Sequence, residues 1–231
     1  MEKNYPKHIG LILDGNRRWA KERGKMPWDG HREGLKKVRE IKNWMIDLNI
    51  KEMTLYCFSM QNFKRDIKEV YFLMKVFEKA FTDIVKDKDI FTKKVKIKHI
   101  GRIELLPKKL QKLIRNAEEK TKNHDQYQVN FALAYGGQEE IVDASKRIAE
   151  DAIKNKLKNI DIEKFKKYLW LADEPDIIIR TSGEQRTSNF LCFQQAYSEW
   201  FFPRVKWPDF SKSDLANIID DYLDRHRRFG K

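Results

Sequence analysis

Asp14-Gly15-Asn16-Arg17-Arg18 places a carboxylate, a turn residue and two guanidinium groups directly after the apolar run Ile9–Leu13. Gly15 permits a tight turn and close approach of backbone to a ligand. A helix opening at about Asn16 would direct unpaired N–H groups at an anion, and Arg17 and Arg18 suit phosphate oxygens. A carboxylate beside bound phosphate makes chemical sense only with a cation between them. Mg2+ takes one or two carboxylates together with phosphate oxygens and water. Taken alone, the segment reads equally well as a helix start capped by Asp14 or Asn16.

Three other segments carry similar chemistry. Arg180-Thr181-Ser182-Gly183-Glu184-Gln185-Arg186-Thr187-Ser188-Asn189-Phe190 follows the apolar run Asp176–Ile179 and offers two arginines, several hydroxyls and a glycine, a phosphate-binding composition. Ser59-Met60-Gln61-Asn62-Phe63-Lys64-Arg65 by itself is a helix cap at Ser59 followed by solvated cations. Glu199 stands among aromatics in Tyr197-Ser198-Glu199-Trp200-Phe201-Phe202, the setting of an exposed strand residue unless a cation is there to be served. The basic end, Arg225 to Lys231, favours the dipole of its own helix. The sequence has no GxxxxGK[ST] or GxGxxG phosphate loop, no HExxH and no GxSxG elbow, so the chemistry is phosphate-directed without the common nucleotide motifs.

The elements that position these segments follow from periodicity. Strands are expected at Ile9–Leu13, Met53–Phe58, Val95–Ile100, Val129–Ala134 and Asp176–Ile179, with a shorter one at Trp200–Phe202. Several are apolar on both faces, as buried parallel strands are. Helical stripes run through Leu35, Val38, Ile41, Trp44, Met45 and Leu48, through Val70, Leu73, Phe77, Phe81 and Ile84, through Leu110 to Ala117, and through Leu215 to Leu223. Alternating strands and helices imply an α/β fold with a parallel sheet. In such sheets the ligand crevice lies beyond the carboxyl ends of the strands. There the polar, glycine- and arginine-bearing segments should converge.

Composition sets the outer limits. The chain has 231 residues, 41% hydrophobic and 36% charged, and reads as a single domain over 1–231 with a large core. A net charge of +13 favours an anionic partner, but no nucleic-acid-binding module is present. The lysine-rich stretch Lys86–Lys98 reads as solvated surface. Cys57 and Cys192 read as buried, unpaired thiols of a reducing cytoplasmic protein. No run approaches the length of a membrane span, which leaves only peripheral membrane contact.

Taken in order, the segments resemble the cis-prenyltransferases, the undecaprenyl diphosphate synthase family. The resemblance rests on His8 to Ala20, Gly30-His31, Leu55 to Ser59 with Asn62-Phe63-Lys64-Arg65, Ala134-Tyr135-Gly136-Gly137, Asp176 to Glu184 with Arg186 and Ser188-Asn189-Phe190-Leu191, Trp207-Pro208-Asp209-Phe210, and Arg228-Phe229-Gly230. It implies a three-layer α/β/α fold with a six-stranded parallel sheet, a homodimer, and a hydrophobic tunnel for a growing prenyl chain. Its floor would lie near residues 69–81 and 129–133. It further implies that Asp14 holds Mg2+, with Glu199 as a second metal carboxylate. An allylic diphosphate, farnesyl or geranylgeranyl, would be gripped by Gly15, Asn16, Arg17 and Arg18 with Trp19 and His31 nearby. Ser59, Met60, Gln61, Phe63 and Arg65 would line the reacting end, and Asn62 would assist proton removal. Isopentenyl diphosphate would be held by Arg180, Arg186, Thr187 and Ser188. Arg228 to Gly230 would reach the partner's site. A non-catalytic subunit of this family would lack the Asp14 equivalent or the terminal Arg-x-Gly, and both are present. The sequence departs from the family at Pro27, where an arginine is usual and Arg23, Lys25 or Arg32 are the nearest substitutes, and at Gln61, where a glutamate is common.

Overall fold

The computed structural model describes residues 5–154, 157 and 159–225. Strands β1 (His8–Ile12), β2 (Glu52–Ser59), β3 (Val95–Ile100), β4 (Tyr127–Tyr135), β5 (Ile177–Arg180) and β6 (Glu199–Phe201) form one sheet in the order β3-β4-β2-β1-β5-β6. Every neighbouring pair is parallel. Parallel strands need crossovers, and the crossover helices cover both faces. One face buries Ile9, Leu11, Met53, Leu55, Val129, Phe131, Ile177 and Ile179. It packs under α2 (Pro27–Asp47), α3 (Ile67–Ile84), α5 (Lys108–Thr121) and α8 (Lys212–Asp224). The other face buries Ile12, Tyr56, Ile100, Ala132, Tyr135 and Ile178 against Leu171, Phe190 and Leu191. There α6 (Gly137–Ile153) is anchored through Glu140, which accepts from the Tyr135 hydroxyl, from Leu171 N–H at 3.0 Å and from Gln194 at 3.1 Å. The result is the expected α/β/α sandwich.

The strand order reverses between β1 and β5. From β1 the chain winds outward to β2, whereas β5 leads to β6 on the opposite side. Such a switch point leaves a crevice at the carboxyl ends of the two strands, and Asp14 and Arg180 lie at its two lips.

The expected strands match the observed ones to within a few residues, and the four apolar stripes lie in α2, α3, α5 and α8. The periodicity does not reveal α6, because the buried residues of that helix are Gly137, Glu140 and Ala144, too small or too polar to make a stripe. Cys57 and Cys192 are unpaired as expected, but both are partly exposed rather than buried. Cys57 sits on a cavity wall, and desolvation pushes its thiol pKa up to about 12. Among the described residues no helix is long and apolar enough to cross a membrane.

On β3, His99 Nε2 donates to the Leu133 carbonyl at 3.0 Å, and burial takes its pKa from 6.5 down to about 4. Between those values the unfolded chain binds a proton that the folded chain does not. Stability therefore falls as pH drops through that window, by a few kcal/mol in order of magnitude. His8, also lowered by burial, acts in the same direction. Urea unfolding at pH 7 and pH 5 should show a smaller acid loss in His99→Gln than in the parent chain, and equal losses would contradict this reading.

Candidate active site

The carboxyl end of β1 delivers Asp14, whose backbone is fixed from two sides. Its carbonyl accepts from the Thr181 hydroxyl at 2.7 Å and from Trp207 N–H at 3.0 Å. Its carboxylate accepts from Arg180 at 2.8 Å and Gly15 N–H at 2.6 Å, and lies 3.2 Å from Arg18. Burial alone would raise its pKa. Arg180, then Arg18 and the Gly15 N–H, outweigh burial and hold the carboxyl below its ordinary value, so it is charged at neutral pH. Gly15 has φ 101°, a left-handed conformation, and a Cβ there would fall 2.9 Å from Ser182 Oγ. Helix α1 (Asn16–Glu22) begins immediately after it, with no acidic residue in its first turn to oppose an anion.

Arg180 is buried at the end of β5. Besides Asp14 it donates to the Arg186 carbonyl and the Ser188 hydroxyl, both at 2.6 Å. Its Nε and the Oδ1 of Asn16 are buried without a partner. Asn16 Oδ1 faces Gly34, where a Cβ would fall 2.3 Å from it. The loop beyond Arg180 is bent through four left-handed non-glycine residues, Ser182, Ser188, Asn189 and Leu191. Such conformations persist where surrounding bonds impose them. Here Asn189 accepts from Gly137 N–H and Gln138 N–H at 2.8 Å and donates to Glu139 at 2.8 Å. The Tyr135-Gly136-Gly137 segment is thus a brace for this loop. A Cβ on Gly137 would strike Cys192, at 2.7 Å.

The remaining wall comes from α2, α3 and the turn after β2. Gly30 and Gly34 let α2 lie directly on Asn16: a Cβ on Gly30 would sit 2.0 Å from the Asn16 carbonyl oxygen. That contact places His31, which is paired through Nε2 with Glu69 at 3.2 Å. Glu69 also binds Arg65 at 3.2 Å and lies 3.9 Å from Arg17. Burial, only partly opposed by Glu69, holds His31 below its ordinary pKa and neutral at pH 7. Ser59 caps a 3₁₀ turn (Met60–Lys64): its hydroxyl accepts from Asn62 N–H at 3.2 Å, while Asn62 Oδ1 accepts from Ser59 N–H at 3.0 Å. This bond occupies the Asn62 oxygen, so the Asn62 amide meets the cavity chiefly as a donor.

These groups surround the mouth of a cavity of about 1150 Å³. Seven cationic side chains (Arg17, Arg18, Lys21, Lys25, Arg65, Arg180, Arg186) and two carboxylates (Asp14, Glu184) line it. Further in, the wall is apolar, formed by Leu35, Val38, Val76, Phe77, Ala80 and Phe131. Gly15, Asn16, His31, Ser59, Gln61, Asn62 and Ser188 also reach it.

Several residues singled out from the sequence lie elsewhere. Trp19 is turned away and donates to Asp209 at 2.6 Å. Phe63 packs edge-on against Phe58, Met60 joins the core, and Thr187 is exposed off the cavity wall. Glu199 opens β6 in register with Ile177, which pairs with Ile9, so within one chain it lies about 16 Å along the sheet from Asp14. There it pairs with Arg225 at 2.5 Å. Of the substitutes near Pro27, Arg23 is held by Asp209 at 3.1 Å and Arg32 by Asp29 at 3.5 Å, whereas Lys25 lines the cavity. Residues 228–230 lie outside the described residues. Sequence reading passed over Glu69 and Lys21. The signal for Glu69 was its place four residues after Arg65, in the first turn of α3.

Among the described residues no group of three or more His, Cys, Asp or Glu could cage a metal. One ionised carboxylate among phosphate-directed arginines fits an ion that brings its own phosphate ligands.

Such a cavity takes an amphiphile, with an anionic head among the arginines and an apolar body against α2 and α3. Prenyl diphosphates have that form, and known proteins of this shape handle them. The family model for undecaprenyl diphosphate synthase matches residues 12–230. Tritrans,polycis-undecaprenyl-diphosphate synthase (geranylgeranyl-diphosphate specific) of Methanocaldococcus jannaschii is 49% identical over 99% of this chain and 84% of its own length. The protein of the same description from Pyrococcus horikoshii is 49% identical over 98% and 87%. Lavandulyl diphosphate synthase of Lavandula x intermedia, solved with dimethylallyl diphosphate, superposes with a TM-score of 0.93 at 34% identity, covering 98% of this chain and 99% of that one. A probable undecaprenyl diphosphate synthase of Campylobacter jejuni gives 0.83 at 29%, over 99% and 100%. The chain belongs to the undecaprenyl diphosphate synthase family, and it is a prenyltransferase.

Glu69 joins His31, Arg65 and Arg17, so neutralising it should loosen all three. Glu69→Gln is expected to lower kcat/KM for the allylic substrate about tenfold, ~1.4 kcal/mol of transition-state stabilisation. Steady-state kinetics together with circular dichroism would check this; undiminished kcat/KM in a folded variant would remove Glu69 from the site.

Proposed function

We propose that this enzyme condenses isopentenyl diphosphate repeatedly onto geranylgeranyl diphosphate, with cis geometry and in the presence of Mg2+, to give a long polyprenyl diphosphate such as undecaprenyl diphosphate. The observation that carries the reading is one continuous cavity, arginine-rich at its mouth and apolar further in. Relatives with 49% identity are named as geranylgeranyl-specific, which favours that starter over farnesyl diphosphate.

In this reading Arg17, Arg18, Gly15 and Asn16 hold the allylic diphosphate, with Lys25 supplying the charge that Pro27 lacks. Arg180, Arg186 and Ser188 hold isopentenyl diphosphate. Two anchored heads fix the allylic C1 against the isopentenyl double bond, and this orientation supplies much of the rate. Mg2+, held by Asp14 and diphosphate oxygens, would screen the charge that develops on the leaving diphosphate. The arginines stabilise the same charge in a crevice where little rearrangement is needed. Asn62 donates a hydrogen bond and orients; an amide is a poor base, and a diphosphate oxygen is the better proton acceptor. The enzyme is proposed to act as a homodimer in which Arg228-Phe229-Gly230 reaches the partner's site. It would be cytoplasmic, touching the membrane only peripherally to release product, with no nucleic-acid partner.

Asp14→Ala should lower Mg2+-dependent elongation by about 10²–10³-fold. Asp14→Asn, which keeps an acceptor for Arg180, should fall comparably with less loss of stability. Wild-type turnover in either folded variant, or in excess EDTA, would refute the assignment. Incubating the purified enzyme with labelled isopentenyl diphosphate and each starter should show kcat/KM higher for geranylgeranyl than for farnesyl diphosphate by at least about tenfold, since a missing apolar unit forfeits packing in the bore. Equal values would remove the starter preference.

A further inference from the structure

Tyr56 of β2 lines the cavity, and its hydroxyl reaches the loop beyond β5. It donates to the Ser188 carbonyl at 3.1 Å, joining segments 132 residues apart. The ring is locked by stacking on Phe190, with 4.8 Å between centroids, and by an edge contact with Tyr135 at 5.8 Å. Phe190 belongs to the same loop as Ser188, so ring and hydroxyl both bear on it. Burial raises the pKa of the phenol. It therefore stays protonated, and a donor, at neutral pH.

The segment it holds is a strained one. Ser188 has φ 50° and Asn189 φ 63°, left-handed values that a residue with a side chain keeps only where its neighbours impose them. Ser188 is held at two atoms. Arg180 donates to its hydroxyl at 2.6 Å, and Tyr56 donates to its carbonyl. The Arg180 bonds to Ser188 and to the Arg186 carbonyl both come from Nη1, a single nitrogen. One nitrogen lets the loop pivot; the Tyr56 bond supplies a second fixed point. β1 lies between β2 and β5 in the sheet. The loop is thus pinned from both sides of the strand that delivers Asp14.

The same end of β2 carries the other half of the site. Ser59 caps the turn that holds Asn62. β2 slips register against β4 between Tyr56 and Ser59, and such irregularities re-aim side chains. Here the Ser59 hydroxyl lies near enough to Tyr56 to favour its ionised form, though burial outweighs it. One strand end therefore sets both the turn beside the allylic site and the hydroxyl that holds the opposite loop. Two substrates anchored on separate segments react only when those segments keep their spacing, and a small displacement costs rate or affinity.

We propose that Tyr56 is a positioning residue for the condensation: by holding the Ser188 carbonyl, its hydroxyl sets the place of the isopentenyl diphosphate loop relative to the allylic site. The inference rests on the elongation reading given above. Tyr56 moves no proton and screens no charge; it acts through the loop from Arg186 to Ser188.

The experiment is steady-state kinetics with geranylgeranyl diphosphate and labelled isopentenyl diphosphate varied in turn, on wild type, Tyr56→Phe and Tyr56→p-aminophenylalanine. A wild type that makes no elongated product defeats the functional reading, and this is read first. With an active wild type, Tyr56→Phe removes the donor and keeps the ring between Phe190 and Tyr135. KM for isopentenyl diphosphate should then rise about three- to tenfold, the worth of one neutral hydrogen bond, with KM for the allylic partner unchanged. Tyr56→p-aminophenylalanine keeps an N–H donor at the same place and should bring KM for isopentenyl diphosphate back toward wild type. An unchanged KM for isopentenyl diphosphate in Tyr56→Phe overturns the proposal. So does an equal rise in both KM values, which a general loosening of the fold would give. Failure of the donor-bearing variant to restore what Tyr56→Phe loses overturns it as well.

Discussion

The contact between Asp14 and Arg180 holds the site together. It bridges the ends of two neighbouring parallel strands at the point where the sheet changes winding direction. Arg180 is nearly inaccessible, and a buried guanidinium is tolerated only with its charge and donors matched. Asp14 provides the charge, and the loop from Arg186 to Ser188 provides the other acceptors. The same pair keeps Asp14 ionised against the pull of burial. One interaction therefore fixes the loop that carries the second cluster of anion-binding groups and sets the protonation state of the carboxylate in the first.

Carboxylates organise most of the cations around this pair. Glu184 binds Arg18 at 2.6 Å and Arg186 at 2.5 Å, and Glu69 gathers Arg65, Arg17 and His31. Held in place before an anion arrives, these side chains lose little conformational freedom when it does. The excess of cations over acids at the mouth persists after this pairing, and that excess attracts a diphosphate. The overall charge of +13 has the same sign but is spread over a surface where many lysines already pair with neighbouring acids. Charge focused in the crevice selects the ligand; charge on the rest of the surface does not.

The bore below lies on one face of the doubly covered parallel sheet. Helices α2 and α3 both descend from the polar strand ends toward the opposite edge, and the cavity lies between them over β2 and β4. Their apolar stripes serve two purposes, part packing on the core and part facing open space. Periodicity cannot separate these roles, since Leu35 and Val38 at the cavity continue the same stripe as the buried Ile41 and Met45.

The sequence alone determined the strand–helix alternation, the parallel sheet and the clustering of Asp14, Arg17, Arg18, Arg180 and Arg186 at strand ends, because periodicity and the residues after each strand are local properties. It also carried the family resemblance, which the family model and the curated relatives bear out. It did not reveal α6, whose buried face is Gly137, Glu140 and Ala144. Only the tertiary structure decided which polar residues meet. It turned Trp19 toward Asp209, put Lys25 rather than Arg23 or Arg32 on the cavity wall, and joined Glu69 to His31 across two helices. It also set Glu199 at the far end of the sheet, since strand register, invisible in the sequence, pairs it with Ile177. Local pattern decides which elements form and which of their ends are polar. Which side chains come within hydrogen-bonding distance depends on register and helix packing, and these are settled only when distant segments are brought together.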